Sequence, residues 1–317
     1  MLAALAALLA TAVALRFAAA PGELGAPRDA LEWSLRGLRA ASGAAVGASL
    51  ALAGVLLQCL LRNPLAEPAT LGLTTGAGLG VTLFTYAHYL ATGAIARYDS
   101  PAAAATAGSL AALAIVGLLA RRRTGLDPVS LILTGVVVSL TCGAGIVLVQ
   151  HLLPDRGVAM GARWVTGALS DETSWGWALG VLTLASLAAA STSALASALD
   201  AASLGEDEAR SVGVPLGALR LGLFLGSGLL TAGAVMLAGP IGFIGLVAPH
   251  LTRILVGPGH RALAPAAAML GAALVVAADA AVKLVDLGAG RMPIGVITAI
   301  LGGPVFLALL RTEVRAR

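Results

Sequence analysis

Long, nearly uninterrupted apolar runs are the feature of this chain that leaves it fewest folds. They cover residues 2–20, 40–61, a third run from near Leu71, 102–120, 129–150, a sixth opened by Trp175 and Trp177, 216–237, 241–256, 262–282 and 294–310. Each has about 16–22 residues, the length of a helix that crosses a ~30 Å hydrocarbon core. Barrel strands would need segments of about 10 residues with alternating polarity, and these runs are continuous instead. The expected fold class is therefore an all-α polytopic membrane protein with about ten transmembrane helices. A charged fraction of 11% and a hydrophobic fraction of 58% agree with it, since soluble domains have roughly 25% and 45–50%. Residues 1–317 read as one transmembrane domain with a cytoplasmic loop at about 199–215.

The first run leaves two readings open. Ala18-Ala19-Ala20 before Pro21-Gly22 resembles a signal-peptide cleavage site. No basic residue precedes the run, however, and a signal peptide wants one, so a first transmembrane helix is preferred. Residues 23–39, with Trp33, Arg36 and Arg39, and residues 151–174, with Trp164, read as polar connections. Trp175 and Trp177 suit a membrane interface. Gly72, Gly76 and Gly80 recur every four residues, so one face of the third helix lets a neighbour approach closely.

With the N-terminus inside, Arg62, Arg121–Arg123, Arg210, Arg253, Arg261 and the tail from Arg311 fall on the cytoplasmic side, as the positive-inside rule asks. Arg28, Arg36, Arg39, Arg97, Arg156, Arg163, Lys283 and Arg291 then face outward. Docking of an acidic partner would account for them.

Against this apolar background, Asp200–Pro215 (D-A-A-S-L-G-E-D-E-A-R-S-V-G-V-P) is the polar centre of the chain. Gly205 interrupts the helical pattern. Glu206, Asp207 and Glu208 follow it, where the positive end of a new helix favours acids. Glu206 and Arg210 stand four apart in the favoured order. The expectation is two short helical pieces bent at Gly205, outside the membrane, with an acidic face.

Several function classes drop out. The net charge of +4 is scattered among loops, which is no nucleic-acid footprint. Cys59 and Cys142 lie in separate apolar runs and suggest ordinary packing. Lys283 is the sole lysine, so there is no Walker A loop, and ATP-driven work would need another chain. No H-E-x-x-H or comparable catalytic set lies on a span. Asp279 is an acid inside the ninth run, either a transport group or a side chain bonded near the outer helix end. It is also the one clear candidate that an ion-gradient-driven secondary transporter would have. His250, His88 and His151 lack spaced partners for a metal.

Four segments together resemble one family. Gly47–Gly80 contains R-N-P-L-A-E-P, Leu204–Pro215 reads L-G-E-D-E-A-R-S-V-G-V-P, Ala238–Arg253 reads A-G-P-I-G-F-I-G-L-V-A-P-H-L-T-R, and Leu301–Pro304 reads L-G-G-P. These resemble the FecCD family of ABC importer permeases, the type II importers of ferric siderophores, haem and vitamin B12, from about Trp33 to Arg311. The resemblance implies ten helices per subunit and a permease dimer, as a homodimer or with a close paralogue. It also implies two cytoplasmic ATPase subunits that bind the ATP, an extracytoplasmic substrate-binding protein, and residence in the bacterial cytoplasmic membrane. No cofactor of the chain's own and no nucleic-acid partner are expected. The family's coupling loop maps onto Leu204, Gly205, Glu206 and Ala209, with Arg210 added as the partner of Glu206. Its binding-protein docking residues map onto Arg36 and Arg39, in R-G-L-R where the family has R-L-P-R, and onto Lys283 where Arg is usual. Asn63 and Leu65 are candidates for a cytoplasmic gate; a capped turn is the equally open reading.

Overall fold

The computed structural model describes the chain except residues 21, 96–100, 123–124, 171–172, 286–291 and 317, and the side chains of 160, 162–163 and 308–316. Arg97, Arg123 and Arg291, and the side chains of Arg163 and of the tail from Arg311, lie outside the described residues.

Among the described residues, six helices are long and apolar enough to cross a membrane: α2 (Ala30–Leu61), α4 (Ala102–Leu119), α5 (Pro128–His151), α7 (Trp175–Ala194), α10 (Leu216–Ala238) and α12 (His260–Leu284). With α1 (Leu2–Ala18), α3 (Leu73–Thr92), α11 (Ile244–Val256) and α13 (Ile294–Ala316) the bundle reaches ten. Three further helices, α6 (Asp155–Val165), α8 (Ala196–Leu204) and α9 (Glu206–Ser211), lie between them. Two short hairpins, β1–β2 (Ala19–Ala20, Glu23–Leu24) and β3–β4 (Arg121–Arg122, Gly125–Leu126), close tight connections.

The centre of the bundle is α2. Its 32 residues span about 48 Å at 1.5 Å per residue, and α7, α10, α11 and α12 pack around it. Val46, Ala51, Leu52, Ala53, Val55 and Leu57 are wholly buried along it. Small residues permit the closest approaches: a Cβ added at Gly47 would run into the Gly271 carbonyl of α12. On α3, Gly76 and Gly80 meet Gly108 of α4 in the same way, as their spacing predicts. Gly72 does not join that face; it precedes α3 with φ +76°.

The sequence reading needs correction in two places. Residues 30–39 are not a polar connection but the outer end of α2, begun by Asp29, whose carboxylate accepts the Glu32 N–H at 2.7 Å. An N-cap and an acid in the first turn suffice to start a helix ahead of its apolar run. The segment 151–174 contains the amphipathic α6, which buries Trp164 against Ala77, Val81, Ala105 and Val235.

Candidate functional site

At the end of the bundle where α2 finishes, α8 and α9 meet at Gly205, where the backbone is extended (φ 175°, ψ 165°). The bend leaves Leu204 80% exposed. Beside it, Glu206 accepts a hydrogen bond from Arg210 Nη2 at 2.7 Å, and Arg210 Nη1 reaches Asp207 at 3.1 Å. Arg220, on the first turns of α10, also binds Glu206. Its guanidinium holds the Glu206 carboxyl below the ordinary carboxylate range. Ala209 is fully buried, and its carbonyl accepts the Val214 N–H at 2.9 Å. Of the residues expected here, Leu204, Glu206 and Arg210 face outward, while Ala209 anchors.

Three attachments fix α8 to the bundle. Arg62 Nε donates to the Ala202 carbonyl at 3.1 Å. Cys59 Sγ lies 3.6 Å from Ser203 Oγ. Asp200 Oδ1 accepts the His260 N–H at 3.0 Å and faces His260 Nδ1 at 2.6 Å, at the start of α12. A cavity of about 640 Å³ opens between these elements, lined by Gln58, Arg62, Asn63, Asp200, His250 and Arg253 among others.

Asn63 forms a turn: its Oδ1 accepts the Leu65 N–H at 2.9 Å and its carbonyl the Ala66 N–H at 3.1 Å. Pro64 follows, and Leu65 is 41% exposed. The chain then turns back into the bundle. Glu67 and Pro68 lie beside Gly245, near the Leu50 carbonyl, and Leu71 lies against Gly135 of α5. Leu50 is eleven residues before the end of α2, about 16 Å along the helix. This return was not legible in the run R-N-P-L-A-E-P. It places Glu67 at a second cavity of about 400 Å³, whose lining includes Thr74, Thr166, Ile241, Val296 and Ile300.

At the opposite end of the bundle, Asp279 of α12 is 1% exposed and lies between two guanidiniums. Arg39 donates from Nη2 at 2.5 Å and from Nε at 3.3 Å, and Arg16 of α1 donates from Nε. Arg36 donates to the carbonyls of Phe17 and Gly25, at 2.5 and 2.6 Å, and to Glu32 at 3.2 Å. Both Arg36 and Arg39 are buried, where outward-facing side chains were expected. The physical reason is the set of partners they reach, Asp279 for Arg39 and the Phe17 and Gly25 carbonyls with Glu32 for Arg36, which a buried cation needs. Lys283 is half-buried one turn beyond Asp279, and its carbonyl accepts the Gly22 N–H at 3.2 Å. Arg16 was absent from the sequence reading because it sits within an otherwise apolar helix. Asp279 is thus paired with arginines from two other helices, not with a local hydroxyl or backbone group.

Known proteins resemble this arrangement along its whole length. The model of the FecCD transport family matches residues 1–312. The vitamin B12 import system permease protein of Vibrio cholerae is 35% identical over 283 residues, covering 88% of this chain and 82% of that one. The hemin transport system permease protein of Yersinia pestis is 36% identical over 269 residues, covering 84% and 78%. The solved structure of an inward-facing metal-chelate type ABC transporter superposes with a TM-score of 0.85 at 28% identity, covering 98% of both chains. The family match runs over nearly the whole helical bundle, and the chain belongs to the FecCD transport family.

Proposed function

We infer that this chain is the membrane permease subunit of an ABC importer that carries a metal chelate: a ferric siderophore, haem or a cobalamin-like compound. The observation that carries the reading is the α8–α9 bend. It presents a large apolar side chain, Leu204, next to the charged set Glu206, Asp207 and Arg210, in which Glu206 is tied to α10 by Arg220. An exposed apolar residue within a small charged surface is the composition of a docking spot. Its partner is an ATPase subunit, one for each copy of a permease dimer, in the bacterial cytoplasmic membrane. ATP is bound there, and this chain needs no cofactor of its own.

Alternating access follows if the two states differ in their contacts at Leu204–Arg210. The three attachments of α8 to α2 and α12 then pass the motion to the bundle. Asn63 and Leu65 stand at the inner mouth as gate residues. The wall of the pathway is the 400 Å³ cavity where Glu67 meets α3, α6 and α13. At the outer end, Arg36, Arg39 and Lys283 form the seat of an extracytoplasmic binding protein. Arg39 is aligned by Asp279, and the acidic lobes of the partner compete for its remaining donors. The carboxylate of Asp279 is committed to two arginines, which speaks against its use as the coupling group of an ion-driven carrier.

The test is purification of the chain from native membranes, with identification of what accompanies it. A co-purifying ATPase, lost in Gly205→Trp, is expected. A stable, transport-competent chain with no ATPase sinks the reading.

A further inference from the structure

We propose that the groove between the inner halves of α4 and α10 binds an anionic phospholipid of the inner leaflet. One acyl chain lies in the groove and the phosphate rests at Arg121.

The groove encloses about 570 Å³. Leu113, Gly117, Leu221 and Phe224 line its apolar length, and Gly217 and Arg121 lie at its inner end. Phe224 is buried as its floor. Gly217 keeps it open, because a Cβ there would meet nothing within 4 Å. The lip is apolar and exposed at Leu118, Leu221 and Leu225, as a surface meeting hydrocarbon should be. The lining runs along α4 from Leu110 to Leu118, eight steps or about 12 Å, and continues past the helix end to Arg121. With that extension it approaches half of a ~30 Å core, the depth of one leaflet.

Charge selects the headgroup. The groove ends at the same side of the bundle as the α8–α9 bend, where α10 begins. Among the described residues, Arg122 is engaged with Asp127 at 3.7 Å and Ser130 at 3.2 Å, and Arg220 with Glu206. Arg121 is exposed, and among the described residues its side chain has no ion-pair or hydrogen-bond partner. An arginine offers two parallel donors to a phosphate, and a basic residue at the inner membrane surface attracts anionic headgroups. A zwitterionic lipid would fit the same groove without the net attraction.

The proposal is tested on the intact, detergent-purified and delipidated protein. Native mass spectrometry is used to titrate phosphatidylglycerol against phosphatidylcholine of identical chains. The wild type should favour phosphatidylglycerol. Arg121→Ala should weaken that lipid about five-fold, the effect of one basic residue at a membrane surface, and leave phosphatidylcholine nearly unchanged. Gly217→Leu, which fills the groove, should weaken both lipids. Ala218→Leu, at an exposed lining position, repeats that arm if Gly217→Leu does not reach the membrane. Equal affinity for the two lipids in the wild type would overturn the proposal. So would unchanged phosphatidylglycerol binding in the filled variants, which would mean that the headgroup merely adsorbs to surface arginines. Disulfide formation between copies through Leu221→Cys in membranes would also overturn it, by making a second permease chain the occupant.

Discussion

Arg39 on α2 grips Asp279 on α12 through two donors, with Nη2 2.5 Å from Oδ1 and Nε 3.3 Å from Oδ2. Arg16 binds the same carboxylate from α1. Three helices are joined at one buried point, and the point carries more positive than negative charge. Removing the acid would strand both arginines, and breaking a buried pair in this way costs about 3–5 kcal/mol. Asp279→Ala should therefore lower the melting temperature in detergent sharply. Replacing Arg16, Arg39 and Asp279 together by Met, Leu and Leu should restore much of that loss, since packed apolar residues are often as stable as a buried ion group. If the triple variant regains stability yet fails to bind the extracytoplasmic protein, the arginine serves docking as well as folding. Undiminished binding would remove Arg39 from the docking seat.

The exposure of Leu204 separates a partner contact from a structural one. A side chain that is 80% exposed supports little of the fold, so Leu204→Ala should leave expression and melting temperature close to wild type. At the centre of a docked surface, the same truncation costs about 2 kcal/mol or more, some thirty-fold in affinity. ATPase retention on an affinity column, compared between wild type and variant, measures it. Retention within two-fold of wild type would mean that the bend does not dock through this residue.

Glu206 gives a pH signature. Arg220 and Arg210 hold its carboxyl below the ordinary value of 4.5. A carboxylate with a depressed folded pKa adds stability above the unfolded pKa, and that contribution is lost as pH falls through the folded value. The α9 attachment should thus be unchanged between pH 8 and 6 and loosen only below about 4.5. Protection factors of amides 206–214, from exchange rates corrected for the intrinsic pH dependence across that range, should fall at the acid end. Glu206→Gln should flatten the profile and give the lower protection at every pH. An unaltered profile in Glu206→Gln would assign the acid effect to another group. Replacing Glu206 and Arg210 together by Ala should leave insertion intact yet uncouple hydrolysis from transport. An exposed pair of this kind contributes only ~0.5 kcal/mol on its own, so any larger loss reports the partner.

These residues also mark what a one-dimensional reading can reach. The bend at Gly205 was legible because glycine, a following run of acids and an i,i+4 pair are local signals. The apolar runs located nearly every span for the same reason. Arg220 was missed because its partner lies fourteen positions away, across the turn after α9. Arg16 and Asp279 are separated by 263 positions, and nothing near either residue names the other. The return of residues 62–72 into the bundle depends on room left by Gly135 and Gly245 in other helices, which no local pattern encodes. The outer end of α2 was hidden because its buried arginines look, in sequence, like a solvated loop.

The packing of α2 on α12 can be tested by a pair of glycines with opposite surroundings. At Gly47, an added Cβ would be driven into the Gly271 backbone, which cannot swing aside as a side chain could. Gly47→Ala must push the two helices apart, an overpacking strain of about 1–3 kcal/mol. Because α12 carries both the Asp200–His260 contact inside and Asp279 outside, the displacement should weaken both ends. At Gly222 on α10, a Cβ would meet nothing within 4 Å. Gly222→Ala should therefore gain the helix propensity of alanine, about 1 kcal/mol. Melting temperatures of the two single variants should move in opposite directions from wild type. A fall in both would mean that α10 is covered at Gly222 by another chain, and a rise in both would mean that α2 and α12 can separate without cost.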